Sequence, residues 1–264
     1  MADIQETYKS YIRCVNEQRW ADILNYVTEP VNLNGQDYSA PGEIEKRIKA
    51  AGRINLTIDA ITFDGTTPCL GAYVITKLHP GAKTDADAAD TPAENDTEPE
   101  VITFVEQHFI WTNKDGKIFK VGSMPDSHSL TQQLSDPKYR PLPDLISSNS
   151  SEPEPGQKQL SAAELEETYR AYVACINART IEADLPRFCH DVVTHNAKPL
   201  PLQQYGRLVL DAIEAIPDLD FGIDVLLCDE GAQRVAVRID LAGTPKSVLA
   251  GIEPTGKSSE YLPT

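Results

Sequence analysis

Glu6-Thr7-Tyr8-Lys9-Ser10-Tyr11-Ile12-Arg13-Cys14-Val15-Asn16 recurs as Glu167-Thr168-Tyr169-Arg170-Ala171-Tyr172-Val173-Ala174-Cys175-Ile176-Asn177, with six of eleven positions identical at a constant offset of 161. A repeat of that length is the size of a domain, so it predicts a duplicated domain rather than a solenoid. In each copy the apolar residues fall on one helical face: Ile4, Tyr8, Tyr11, Ile12 and Val15, then Leu165, Tyr169, Tyr172, Val173 and Ile176. Ser161 with Glu164 three residues on is a capping box that starts the second of these helices.

Working outward, a short second helix is expected in both copies, carrying Trp20, Ile23, Leu24 and Val27 in the first and Ile181, Leu185 and Phe188 in the second. A third helix is expected over 203–216 and, shorter, over 43–51. Strand-like alternation follows at 55–63 and 220–228, and β-rich runs at 69–78 and 234–241. The first copy adds a long aromatic strand over 101–112. A partner at 117–122 joins it through Asn113-Lys114-Asp115-Gly116, a turn suited to positive φ. Helices followed by an antiparallel meander give an α+β fold with helices on one sheet face. The domains predicted are 1–140 with a disordered acidic insert at about 80–100, a linker at 141–160 rich in proline, serine and acids, and 161–264. The second copy has no counterpart of the 101–122 hairpin, which would leave an unpaired sheet edge, so either the chain is truncated or the second copy is completed by another surface.

Composition narrows the function. Against 24 Lys and Arg stand 40 Asp and Glu, a net charge of −16, which argues against nucleic acid and against anionic membrane surfaces. Five cysteines without tight spacing are a poor disulfide framework, and Cys14 and Cys175 read as small core residues. The start of the chain does not read as a signal peptide, and no apolar run is long enough to cross a bilayer, so a cytoplasmic setting is expected.

Several short words resemble the SnoaL-like polyketide cyclases of the nuclear-transport-factor-2-like (NTF2-like) superfamily. They are Phe188-Cys189-His190-Asp191-Val192-Val193-Thr194-His195, Ile216-Pro217-Asp218-Leu219-Asp220-Phe221, Val235-Ala236-Val237-Arg238 and Gly251-Ile252-Glu253-Pro254-Thr255-Gly256-Lys257 in the second copy. In the first they are Glu106-Gln107-His108, Asp115-Gly116-Lys117-Ile118 and Pro125-Asp126. The resemblance implies tandem α+β cones, each with helices packed on a curved antiparallel sheet, the second lacking its terminal hairpin. It implies a cofactor-independent cyclase or isomerase of secondary metabolism, using acid/base chemistry on a hydrophobic polyketide- or terpenoid-like molecule, with no cofactor and no metal. The alternative is a non-catalytic small-molecule-binding or protein-interaction module. Pairing is expected through sheet faces, as an internal pseudo-dimer or a homodimer.

On this resemblance Asp126 and His108 are the catalytic candidates in the first copy, and Tyr8, Tyr11, Trp20, Glu106 and His195 the substrate contacts. Asp126 matches the family's acid at the end of the last strand, but it also precedes Ser127-His128-Ser129-Leu130, as a helix N-cap would. Period-2 alternation puts Glu106, His108 and Ile110 on one strand face, inward or outward. The tyrosines either offer hydroxyls to a ligand or are core with hydroxyls bonded to backbone. His195 has Leu33 as its first-copy counterpart, so neither copy holds the family's full residue set. His190 and His195 alone do not make a zinc site.

Overall fold

The computed structural model describes residues 3–79, 101–136, 139, 158–196, 198–249, 251–254 and 256–258. The chain divides into two compact units, Met1–Ser151 and Glu152–Thr264. The expected acidic insert and nearly all of the expected linker lie outside the described residues.

The first unit starts with α1 (Ile4–Asn16), opened by Asp3, whose carboxylate accepts from the Gln5 amide. Ile4, Tyr8, Ile12 and Val15 form its buried stripe. Each is worth roughly 1.5–3 kcal/mol of apolar burial. The helix ends in a Schellman motif: Gln18 takes φ 54°, its N–H reaches the Val15 carbonyl at 3.1 Å, and the Arg19 N–H reaches the Cys14 carbonyl at 2.9 Å.

The segment expected as a second helix is a 3-10 turn, Trp20–Asn25, and Val27 instead opens a strand. That strand, β1 (Val27–Leu33), turns at Asn34-Gly35, both at positive φ, into β2 (Gln36–Tyr38). Then come α2 (Gly42–Ala51), β3 (Arg53–Thr62), β4 (Cys69–His79), β5 (Ile102–Thr112), β6 (Ile118–Pro125) and α3 (Ser127–Ser135). The sheet order is β2-β1-β6-β5-β4-β3. β3 to β6 form the antiparallel meander, but β1 joins β6 in parallel, a pairing the meander reading did not contain. Gln133 fixes α3 to β5 by bracketing the Thr103 backbone, accepting its N–H at 3.0 Å and donating to its carbonyl at 2.8 Å.

The second unit repeats this order: α4 (Ala162–Asn177), α5 (Ile181–Asp184), β7 (Val192–His195), β8 (Lys198–Pro201), α6 (Leu202–Ala215), β9 (Asp220–Asp229) and β10 (Arg234–Ala242). The Ser161–Glu164 capping box is present. α4 ends as α1 does, with Arg179 at φ 62°, its N–H on the Ile176 carbonyl at 3.0 Å, and the Thr180 N–H on the Cys175 carbonyl at 3.0 Å. The last residue of each helix then performs the same task. Asn16 brackets the Leu56 backbone (2.8 and 2.7 Å), and Asn177 brackets the Phe221 backbone (3.0 and 3.0 Å). These locks tie the first helix of each unit to its first long strand.

The units differ in completeness. β4 is flanked by β3 and β5, whereas β10, its counterpart, pairs only with β9 among the described residues. The first unit's core is extensive around Tyr8, Ile23, Leu70 and Ile110. The second unit's is small: Cys175, Ile176, Ile181 and Leu185, with most apolar neighbours only half-buried. No described helix is long and apolar enough to cross a membrane.

Candidate functional site

Three neighbouring strands build the site in the first unit. Their register aligns Ala72, His108 and Ser123 in one row and Val74, Glu106 and Pro125 in the next. Paired residues share a face, and on this face Leu70, Ala72, Val74 and Ile110 belong to the core under α1. His108 therefore points inward and is 7% exposed.

Its two ring nitrogens are both engaged. Nδ1 lies 2.8 Å from the Tyr8 hydroxyl, delivered by the buried stripe of α1, and Nε2 lies 3.3 Å from Glu106 Oε2. Glu106 also accepts from the Thr76 hydroxyl and, at 2.7 Å, from the Ser123 hydroxyl. Burial pushes the Glu106 carboxyl up, but the hydrogen bond and charge of His108, with the two hydroxyls, more than reverse this and hold it at about 2. Glu106 is thus a carboxylate that only accepts, so Nε2 donates to it. In the neutral ring Nδ1 then accepts from the Tyr8 O–H. Tyr8 is pushed well above the ordinary phenol value by burial first, then by Tyr11 and Glu106. Tyr11, stacked on Tyr8 with centroids 6.5 Å apart, is raised to about 12 by burial and by Glu106.

The structure thus brings together Tyr8, Tyr11, Glu106 and His108. The Tyr8 hydroxyl finds a side chain, where the core alternative expected backbone. Asp126 is placed differently. Its carboxylate accepts from the Ser129 amide at 3.0 Å and caps α3. Its charge acts on Tyr73, which pairs with Gln107 in the row between those of Glu106 and His108, on the opposite sheet face. The acid that touches His108 is Glu106. Trp20 begins the 3-10 turn and packs against the core. Thr76 and Ser123 were not singled out in the sequence, because only strand register sets them beside Glu106.

His195 belongs to a separate cluster in the second unit. Its ring lies 5.5 Å from Tyr205, whose hydroxyl is 2.6 Å from that of Tyr172. Tyr169 and Phe188 flank Tyr172 at 5.8 and 6.0 Å. Burial, then the Tyr205 charge, raises Tyr169 to about 12, and burial with the Tyr205 hydrogen bond raises Tyr172 further. Elsewhere in this unit a cavity of about 570 Å³ opens between α5 and α6, lined by Ile181, Leu185, Leu202, Gly206, Arg207 and Leu210.

Residues 166–261 match the model of the SnoaL-like polyketide cyclase family. The match falls in the second unit and covers well under half of the chain. Among solved structures, the chain is similar to a SnoaL-like polyketide cyclase from Agrobacterium tumefaciens, at 20% identity over 51% of this chain and 99% of that one, with a TM-score of 0.40. An NTF2-like protein of unknown function from Exiguobacterium is similar at 14% identity over 47% and 98%, with a TM-score of 0.34. The epoxide hydrolase/cyclase-like enzyme SalBIII of pyran ring formation in the polyether salinomycin is similar at 10% identity over 48% and 92%, with a TM-score of 0.37. No curated protein matches the chain.

Proposed function

We propose that the chain is a cofactor-independent cyclase- or isomerase-type enzyme of secondary metabolism, acting on a hydrophobic polyketide- or terpenoid-like molecule in the cytoplasm, with its acid–base site in the first unit. The family match over residues 166–261 supports a cyclase-type role at the level of the family. The observation that carries the assignment to the first unit is the hydrogen-bonded chain from Tyr8 through His108 to Glu106.

The chemistry follows from its order. Because the Tyr8 phenol is held well above its usual range, a free phenolate does not accumulate. The hydroxyl passes its proton to Nδ1 as it takes one from a carbon beside a substrate carbonyl. The imidazolium formed is stabilised by the Glu106 carboxylate, and the proton returns to the substrate by the reverse path. Asp126 serves this reading as the cap that fixes the end of β6 and the start of α3.

A second reading is favoured by burial. Tyr8 is 0% exposed, and the polar groups of the relay are satisfied internally. Such a network also serves to hold α1 on the sheet, in a non-catalytic module that binds small molecules or proteins. Deuterium incorporation from heavy water into a β-keto ester probe separates the two. The catalytic reading expects acceleration by the wild-type chain and a loss of at least about 100-fold in His108→Gln and Glu106→Gln. A wild-type rate equal to buffer, with the variants altering only stability, supports the binding module.

A further inference from the structure

We propose that the cavity of about 570 Å³ between α5 and α6 in the second unit binds an amphiphilic amine, an apolar body ending in a protonated nitrogen. The volume falls within the ~300–1,000 Å³ of ordinary ligand pockets. Its wall is apolar where α5, the turn after it and α6 meet: Ile181 and Leu185 are buried, and Leu202 and Leu210 are half-buried. A ligand's hydrocarbon covers the surface that the two half-buried leucines leave open. The site is separate from the Tyr8–His108–Glu106 chain of the first unit, and its occupancy does not depend on catalysis there.

The duplication supplies an internal comparison. Ile44 and Ile48 of α2 recur at the 161-residue offset as Tyr205 and Val209 of α6, so the offset holds through this helix. On the stripe beside them, Pro41, Glu45 and Lys49 become Leu202, Gly206 and Leu210. In the first unit that stripe is a polar surface, with Lys49 bonded to Glu45 at 2.7 Å. In the second it is an apolar wall. Trp20, which packs against the first core, becomes the smaller Ile181. Gly206 lets α6 lie close to the turn after α5, since a Cβ there would stand 3.2 Å from Leu185 Cδ2, and it leaves free the space a longer side chain would take. The cavity therefore arises from the residues in which the second copy departs from the first, and not from the element order they share.

Charge selects the head group. Glu182 and Asp191 line the cavity and are exposed. Neither makes a side-chain hydrogen bond or ion pair among the described residues. Arg207 also lines the cavity, but its Nε bonds Asp211 at 2.7 Å and its Nη2 bonds Glu214 at 2.9 Å. Its charge is thus offset by two carboxylates of its own helix. A ligand carboxylate would have to displace one of them and would face Glu182 and Asp191 as well. An ammonium group meets two unpaired acids, and the net charge of −16 raises the local concentration of cations.

The test titrates the full chain at low ionic strength with three probes of equal length, n-octylammonium, octanoate and octanol, and follows the backbone amides of Gly206 and Leu210 by NMR. Octylammonium is expected to shift both amides saturably, and octanoate to bind at least about tenfold more weakly. Glu182→Gln with Asp191→Asn changes two exposed side chains and leaves the core untouched. This double variant is expected to weaken octylammonium at least about threefold and to leave octanol unchanged. Octanoate binding as tightly as octylammonium overturns the proposal, as does a double variant that binds octylammonium like the wild type. So does octylammonium that reaches millimolar concentration without a saturable shift at Gly206 and Leu210.

Discussion

Glu106 accepts three side-chain hydrogen bonds on the sheet face under α1, and its stability contribution has a definite pH signature. Its folded value of about 2 lies below the ordinary 4.5. A depressed carboxyl stabilises the fold fully above the unfolded value and loses that contribution as pH falls through the folded one. Relative to Glu106→Gln, the wild type should lose roughly 3 kcal/mol of stability between about pH 4.5 and about pH 2, read from urea unfolding at stepped pH. A difference flat across that window would remove the carboxylate from the relay. For Asp126, the cap geometry predicts that Asp126→Asn leaves stability within about 0.5 kcal/mol, whereas Asp126→Ala costs about 1 kcal/mol, because asparagine caps nearly as well as aspartate. Thermal melts of the two variants check this. At this scale the sequence was partly legible. Periodicity put Tyr8 on the buried stripe and grouped Glu106 with His108. It could not show that the stripe and the strand meet, since Tyr8 and His108 are 100 residues apart and joined only by packing.

The helices and most strands were legible as elements because each carries its own pattern and stop signal. The Ser161–Glu164 box, the turn with Gly116 at positive φ and the strands β3 and β9 are local and appear in the fold, although burial along β9 does not alternate. What was missed depends on distant partners. Val27 continues an apolar helical spacing from Trp20, yet it joins Ile118 of β6 in parallel. Tertiary pairing decided it, as often happens for short apolar runs. The asparagines that end α1 and α4 are legible as repeated letters, but their task is seen only in the structure. Asn16→Ala is expected to leave the Leu56 backbone unpaired and cost about 1–3 kcal/mol, and Asn177→Ala to do the same at Phe221. Hydrogen exchange should show Leu56 deprotected only in the first variant and Phe221 only in the second. Deprotection of both amides by either substitution would mean that the two locks are not independent.

At the scale of the whole molecule, the duplicated order of elements was foreshadowed by the 161-residue offset. How function divides between the units was not, because it rests on which side chains meet. The first unit holds the hydrogen-bonded chain from Tyr8 through His108 to Glu106, and the second holds the family match and a half-buried tyrosine cluster. The most direct test of the central claim is solvent-deuterium incorporation into a β-keto ester by the full chain, comparing His108→Gln with His195→Gln. The expected result is loss of the wild-type rate in His108→Gln and its retention in His195→Gln. The opposite pattern, or a wild-type rate no faster than buffer, would contradict a proton relay at work in the first unit.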